Sequence, residues 1–135
     1  MMDDFGNRLT TQTCDSPVPC RHCLRLTRPD EEVILFAYRP FETAGPYSEV
    51  GPVFIHGREC PAYAESLEFP ADFMTRKLVL RAYNALGQIE DAEVAEPGSH
   101  GATLERLFAQ EAVKFVHARN VAYGCFLYQL DRVTP

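Results

Sequence analysis

The stretch SPVPCRHCLRL, residues 16–26, sets Cys20 and Cys23 three apart with His22 between them. Two thiolates at that spacing make half of a zinc knuckle or a redox pair, because a tight turn or a helix start brings both sulfurs to one point. Zinc ribbons complete the tetrahedron with a second pair, whereas here Cys14, Cys60 and Cys125 are scattered. The motif also lies outside the strand–helix junction that redox pairs use. Alternation points elsewhere. Cys20, His22, Leu24 and Leu26 share one parity, and Arg21, Cys23, Arg25 and Thr27 share the other, a pattern that predicts a strand. On a strand the two cysteine Cα atoms stand about 10 Å apart with their sulfurs on opposite faces, beyond disulfide reach. Cys20 is then expected to be a small buried hydrophobe. A mixed site drawn from several strands survives this argument. Cys20, His56, Cys60 and His117, with Cys125 as a further thiol, include enough soft donors for zinc. His56 and Cys60 converge only if their segment turns. The expectation is that no metal and no cofactor is held.

Near the end of the chain, HARNVAYGCF places His117 and Cys125 on two neighbouring runs that can form a hairpin. A histidine beside a thiol lowers its pKa and makes a nucleophile, so these two are the candidate catalytic residues of an enzyme reading. Whether the protein is an enzyme is left open. The arginines supply a different chemistry. Of 13 basic residues only Lys77 and Lys114 are lysine, and the planar guanidinium fork suits carboxylate and phosphate. Arg21, Arg25, Arg39, Arg81 and Arg119 fall on or at the ends of expected strands, where sites commonly lie. The chain carries no P-loop, dinucleotide fingerprint, HExxH helix or nucleophile elbow.

The elements that must position these groups are mostly strands. Residues 1–18 are polar and aperiodic and are read as a flexible N-terminal arm; 19–135 form a single domain. VILFAYR (33–39) is β-branched and aromatic and stops at Pro40; VFIH (53–56) is a second run, after the Gly/Pro loop TAGPYSEVGP. Residues 57–70 look irregular. LVLRAY and QIEDAEV flank NALG, with Gly87 supplying a positive φ, and the hairpin sets Arg81 across from Asp91, Leu80 from Ala92 and Leu78 from Val94. EPGSHGATLERLFAQEA gives one helix over about 100–112, with Ser99 or Thr103 as cap and Leu104, Leu107 and Phe108 as its buried stripe. Two strands follow, 113–119 and 124–131. The fold class is α+β: a mainly antiparallel sheet with one principal covering helix.

Charge and composition bound the function. A net charge of −6 argues against nucleic acid and against an anionic membrane surface. The N-terminus MMDDFGNR has no signal-peptide pattern, and no apolar run approaches the roughly 20 residues of a membrane span. The expected location is the cytoplasm, where 5 cysteines, an odd number, are thiols.

PCRHCLR, YRPF, GPVFIH, LRAYNALGQI, LERLF and VHARNVAYGCF occur in an order that resembles the bacterial domain of unknown function 1203 family, over roughly residues 19–132. The resemblance implies a single bacterial cytosolic domain and brings no reaction, substrate or catalytic residue. It also implies a longer segment ahead of the PCR run in other members, hence an exposed first sheet edge here. The leading functional expectation is a binding module for a small anionic ligand, held at a strand-end pocket of Arg21, Arg39, His56, His117, Arg119 and Tyr123. The alternatives are a cysteine/histidine enzyme or zinc site, and an interaction protein that forms a homodimer through a sheet edge.

Overall fold

β-branched and aromatic residues with short polar turns build two antiparallel sheets. A computed structural model describes residues 1–42 and 44–133. The Gly/Pro loop expected from Thr43 and the domain end expected at Pro135 therefore reach outside the described residues. The chain divides into two compact units, residues 1–38 with 50–73 and residues 39–49 with 74–135.

The first unit holds a three-stranded sheet in the order β1-β2-β3, formed by Thr10–Thr13, Glu32–Tyr38 and Gly51–His56. β1 comes from the segment expected to be an arm and pairs with β2, Thr11 against Ile34, so it takes the edge expected to be exposed. The Asp3 carboxylate ties the start of this segment down by accepting from the N–H groups of Phe5, Asn7 and Ala37. These donors hold Asp3 below the usual carboxylate pKa, that of Ala37 most strongly. β2 and β3 pair along their whole length, Val33 to His56 and Tyr38 to Gly51. The buried apolar set of this unit is thin: Cys14, Cys20, Cys23, Leu24, Val33, Val53 and Phe73, the last on a short 3-10 turn, Ala71–Phe73.

The second unit holds a four-stranded sheet in the order β5-β4-β6-β7, from Ile89–Ala95, Leu78–Tyr83, Phe115–Asn120 and Phe126–Asp131. One helix, α1 (His100–Phe108), packs on β4 and β5. Its core is full: Leu78, Leu80, Ala82, Leu107, Val113, Val116, Ala118 and Tyr128 are all buried.

Two local expectations change. The β4–β5 hairpin turns at Asn84–Gly87 as the sequence suggests, with Gly87 at φ 76° and Asn84 N–H donating to Gln88 O at 2.9 Å. Tyr83 pairs with Ile89 but Ala82 pairs with Asp91, so Glu90 is an extra, bulged residue. The register beyond it slips by one: Arg81 faces Ala92, Leu80 faces Glu93 and Leu78 faces Ala95. Asp91 and Glu93 then lie on the side of α1, where Gln110 Nε2, just past the helix end, donates to Asp91 at 2.8 Å and Arg106 donates to Glu93 at 2.9 Å. Helix-side partners compensate the charge that the slip would otherwise leave unmatched. The helix also ends at Phe108, short of 112, because Arg132 takes the carbonyls of Gln110 (3.0 Å) and Val113 (2.7 Å) in a non-helical turn. Its start uses no side-chain cap; Thr103 is instead buried in the packed face.

Candidate metal centre

The expected strand over Cys20–Thr27 is a turn. Pro19 bridges to Leu26 across it, Cys20 N–H donates to Arg25 O at 2.9 Å and Leu24 N–H donates back to Cys20 O at 2.9 Å. Leu24 takes a left-handed φ of 55° to close it, a conformation that costs a non-glycine residue about 1–2 kcal/mol. The alternation in the sequence is therefore coincidental, and the two sulfurs face the same interior point. The knuckle is anchored on both sides: Arg21 N–H donates to Phe54 O of β3 at 2.7 Å, and Tyr63 N–H donates to His22 O at 2.9 Å.

The second half of the site is a histidine–cysteine pair. His56 ends β3, and the chain turns at once through Gly57, whose N–H donates to Glu32 O at 2.8 Å. A side chain at Gly57 would bring its Cβ to 3.1 Å from Glu32 Cβ, a tight contact that makes glycine the easiest residue for this close return. The turn carries Cys60 back beside the knuckle. Sγ of Cys20, Cys23 and Cys60 and one ring nitrogen of His56 all lie within 4.8 Å of one another. Cys20 Sγ stands 3.8 Å from Cys60 Sγ, and Cys23 Sγ 3.6 Å from His56 Nδ1. A tetrahedral zinc with bonds of about 2.3 Å to sulfur and about 2.0–2.1 Å to nitrogen has edges of about 3.8 Å between sulfurs and about 3.5 Å between sulfur and nitrogen. These two edges already match those lengths.

The electrostatics fit a cation. Burial opposes charge on Cys20, but the backbone N–H groups of Cys23, His56 and His22 outweigh it and hold the thiol at about 7. Burial and the neighbouring sulfurs push Cys60 up to about 12, and burial raises Cys23 as well. Three thiolates this close repel one another, and a divalent ion removes that conflict. On the far side of the ring, His56 Nε2 faces Glu31 Oε1 at 3.5 Å, and Arg58 holds the other carboxylate oxygen at 2.8 Å. The N–H of Arg28, at 2.6 Å, is the chief cause of Glu31's lowered pKa, with His56 and Arg58 adding to it. A carboxylate behind a ligating imidazole fixes its tautomer. A cleft of about 730 Å³, floored by Ile34 and Ile55 and rimmed by His22 and Arg58, opens beside His56 and Cys60 and gives an entry path.

Of the metal set expected from the sequence, Cys20, His56 and Cys60 meet here, and Cys23 stands where His117 was expected. His117 belongs to the second unit. There it is fully buried among the rings of Phe41, Tyr83, Phe115 and Phe126, with Nε2 3.0 Å from Gln129 Oε1. Cys125 sits in the β6–β7 turn, its carbonyl accepting from Asn120. That is three residues along the strand from His117, or about 10 Å. The expected anion pocket is divided between the units. Arg21 and His56 lie in the first, where Arg21 stacks over Tyr38 at 5.7 Å. Arg39, His117, Arg119 and Tyr123 lie in the second, with Arg39 exposed and Tyr123 89% exposed. Arg81, named among the strand arginines but left out of the pocket, proves to face the same way as His117, its partner across the sheet.

None of the five cysteines forms a disulfide. Among the described residues no helix is long and apolar enough to cross a membrane. A family model described as "Protein of unknown function (DUF1203)" matches residues 17–132, a span that contains all four candidate ligands. No curated protein and no solved structure matches the chain.

Proposed function

We propose that this chain, which belongs to the DUF1203 family, is a metal-binding protein whose Cys20, Cys23, Cys60 and His56 Nδ1 hold one zinc ion as a structural staple. The observation that carries the reading is the convergence of four soft donors within 4.8 Å from two separate segments, the Cys20–Cys23 knuckle and the His56–Cys60 turn. Four protein ligands close a tetrahedral shell and leave no position for substrate, which favours a structural over a catalytic ion. Three thiolates and an imidazole select zinc over harder cations. The reduced thiols such a centre needs suit a cytoplasmic setting.

The test is metal analysis of protein purified without added metal, followed by exchange with cobalt. The expected result is one zinc per chain, tetrahedral cobalt bands with thiolate charge transfer, and proton release on loading, because two of the thiols sit above neutral pKa. Protein that is metal-free, fully reduced and unable to take up cobalt would overturn the proposal.

Glu31 gives a second readout. Glu31→Gln keeps all four ligands but removes the charge behind His56. Zinc affinity is expected to fall about 10–100-fold, measured by competition with a chromogenic chelator. An unchanged affinity in a variant with unchanged circular dichroism would show that the carboxylate does not support the ring.

A further inference from the structure

In the second unit, β4 and β6 aim two guanidinium groups at one carboxylate. Arg81 pairs across the sheet with His117, and Arg119 lies two residues further along β6 on the same face. Arg81 Nη1 donates to Glu49 Oε1 at 3.0 Å, and Arg119 Nη1 stands 3.2 Å from Glu49 Oε2. Arg119 is only 5% exposed, and its Nη1 also donates to Gly124 O at 3.0 Å. Its Nε is buried and has no acceptor among the described residues. A buried donor left unmet is destabilising, and a single carboxylate shared between two forks fills neither of them bidentately.

Glu49 is loosely held by comparison. Its side chain is half exposed. It follows a Gly45–Ser48 turn closed by the Ser48 hydroxyl, which accepts from Gly45 N–H at 2.6 Å and donates to Gly45 O at 2.7 Å. On the same sheet face lies a buried aromatic cluster. Phe41, Tyr83 and Phe126 surround His117 at centroid distances of 4.8, 4.9 and 4.7 Å.

We propose that Arg81 and Arg119 form a binding site for a small oxyanion, a carboxylate or phosphate, and that the Glu49 carboxylate occupies it as an internal stand-in which the ligand displaces. An incoming oxyanion can bridge the two Nη1 groups that Glu49 now joins, one oxygen to each guanidinium. Displacing Glu49 releases a side chain to water and leaves the two cations neutralised. The site is independent of the metal centre, since its residues all belong to the second unit.

Calorimetric titration of the full chain at low ionic strength tests this, with benzoate and inorganic phosphate as the two probes. Glu49→Gln removes the competing charge, and at least one probe is expected to bind it tenfold or more tighter than the parent. Tighter benzoate identifies an organic acid; tighter phosphate identifies a phosphoryl group. Arg81→Gln in the Glu49→Gln background changes a part-exposed arginine, so the fold is retained, and it should weaken binding at least tenfold. Arg39→Gln, an exposed change, should leave binding as it was. Absence of saturable binding to Glu49→Gln overturns the site, as does equal affinity in the parent or affinity that survives loss of Arg81.

Discussion

Stripping the metal with a strong chelator will unfold the sheet β1-β2-β3 and leave β5-β4-β6-β7 protected. Hydrogen exchange reads this directly. Amides of Val33–Ala37 and Val53–His56 should lose protection, those of Leu78–Tyr83 should keep it, and added zinc should restore the first set. The magnitudes favour this outcome. The first unit buries few apolar side chains, and of its seven buried hydrophobes two, Cys20 and Cys23, are themselves proposed ligands. Below about 70–80 residues a single core rarely supplies more than about 3–5 kcal/mol. Structural zinc sites contribute apparent binding energies of about 10–16 kcal/mol in small domains at neutral pH. The metal term exceeds everything else such a unit has. Without the ion, Cys20, at about 7, carries partial charge among buried neighbours with no cation to offset it. The double variant Cys20→Ser with Cys23→Ser should behave like the chelated parent. Cys125→Ser should not, because Cys125 lies in the β6–β7 turn of the other unit. Undiminished protection of β2 and β3 after complete loss of metal would mean that this sheet stands on its own packing.

The strands and the helix were legible because their signals are local. VILFAYR, LVLRAY and LERLF state their period in adjacent residues, and the turn at Gly87 announces itself. What was not legible depends on partners distant in sequence. The bulge at Glu90 leaves no mark, since IEDAEV alternates equally well in either register; Arg106 on α1 and Gln110 just past its end decide it by receiving Glu93 and Asp91. The helix stops early because Arg132 claims Gln110 O from over twenty residues away. The centre itself was half visible. His56 and Cys60 could be paired on the condition that their segment turns, which Gly57 allows. Cys23 was lost to parity: an alternating pattern in CRHCLRLT outvoted the knuckle, and a leucine at φ 55° gives none of the warning that a glycine would. The signal that could have found the site is the pairing of CxxC with HxxxC instead of with a second CxxC. The arginine pair shows the same limit. Arg119 was named, but Arg81 was assigned to a hairpin partner, Asp91, that the bulge carries to the other face.

Leu80→Ala will destabilise the second unit by about 2–5 kcal/mol, the usual cost of truncating a buried leucine. Leu80 is fully buried at the middle of β4, a strand flanked on both sides, by β5 and β6. Its partners across the sheet are Glu93 and Ala118. Glu93 is committed to Arg106 at 2.9 Å, and alanine has no length to fill a void, so the cavity persists and its full cost is felt. Denaturant unfolding followed through this unit should show a lower midpoint with the slope unchanged. Val94→Ala, at a site 52% exposed on the neighbouring strand, should fall within about 0.5 kcal/mol of the parent. Zinc content should stay at one per chain in both variants, because no ligand lies in this unit. The comparison separates two sources of order in one chain. Apolar packing holds β4 in place and thereby sets Arg81 on the face opposite Leu80, whereas the proposed coordination would hold the knuckle and the His56–Cys60 turn. A Leu80→Ala protein that lost its metal, or one that kept the parent's stability, would show that the two are not divided in this way.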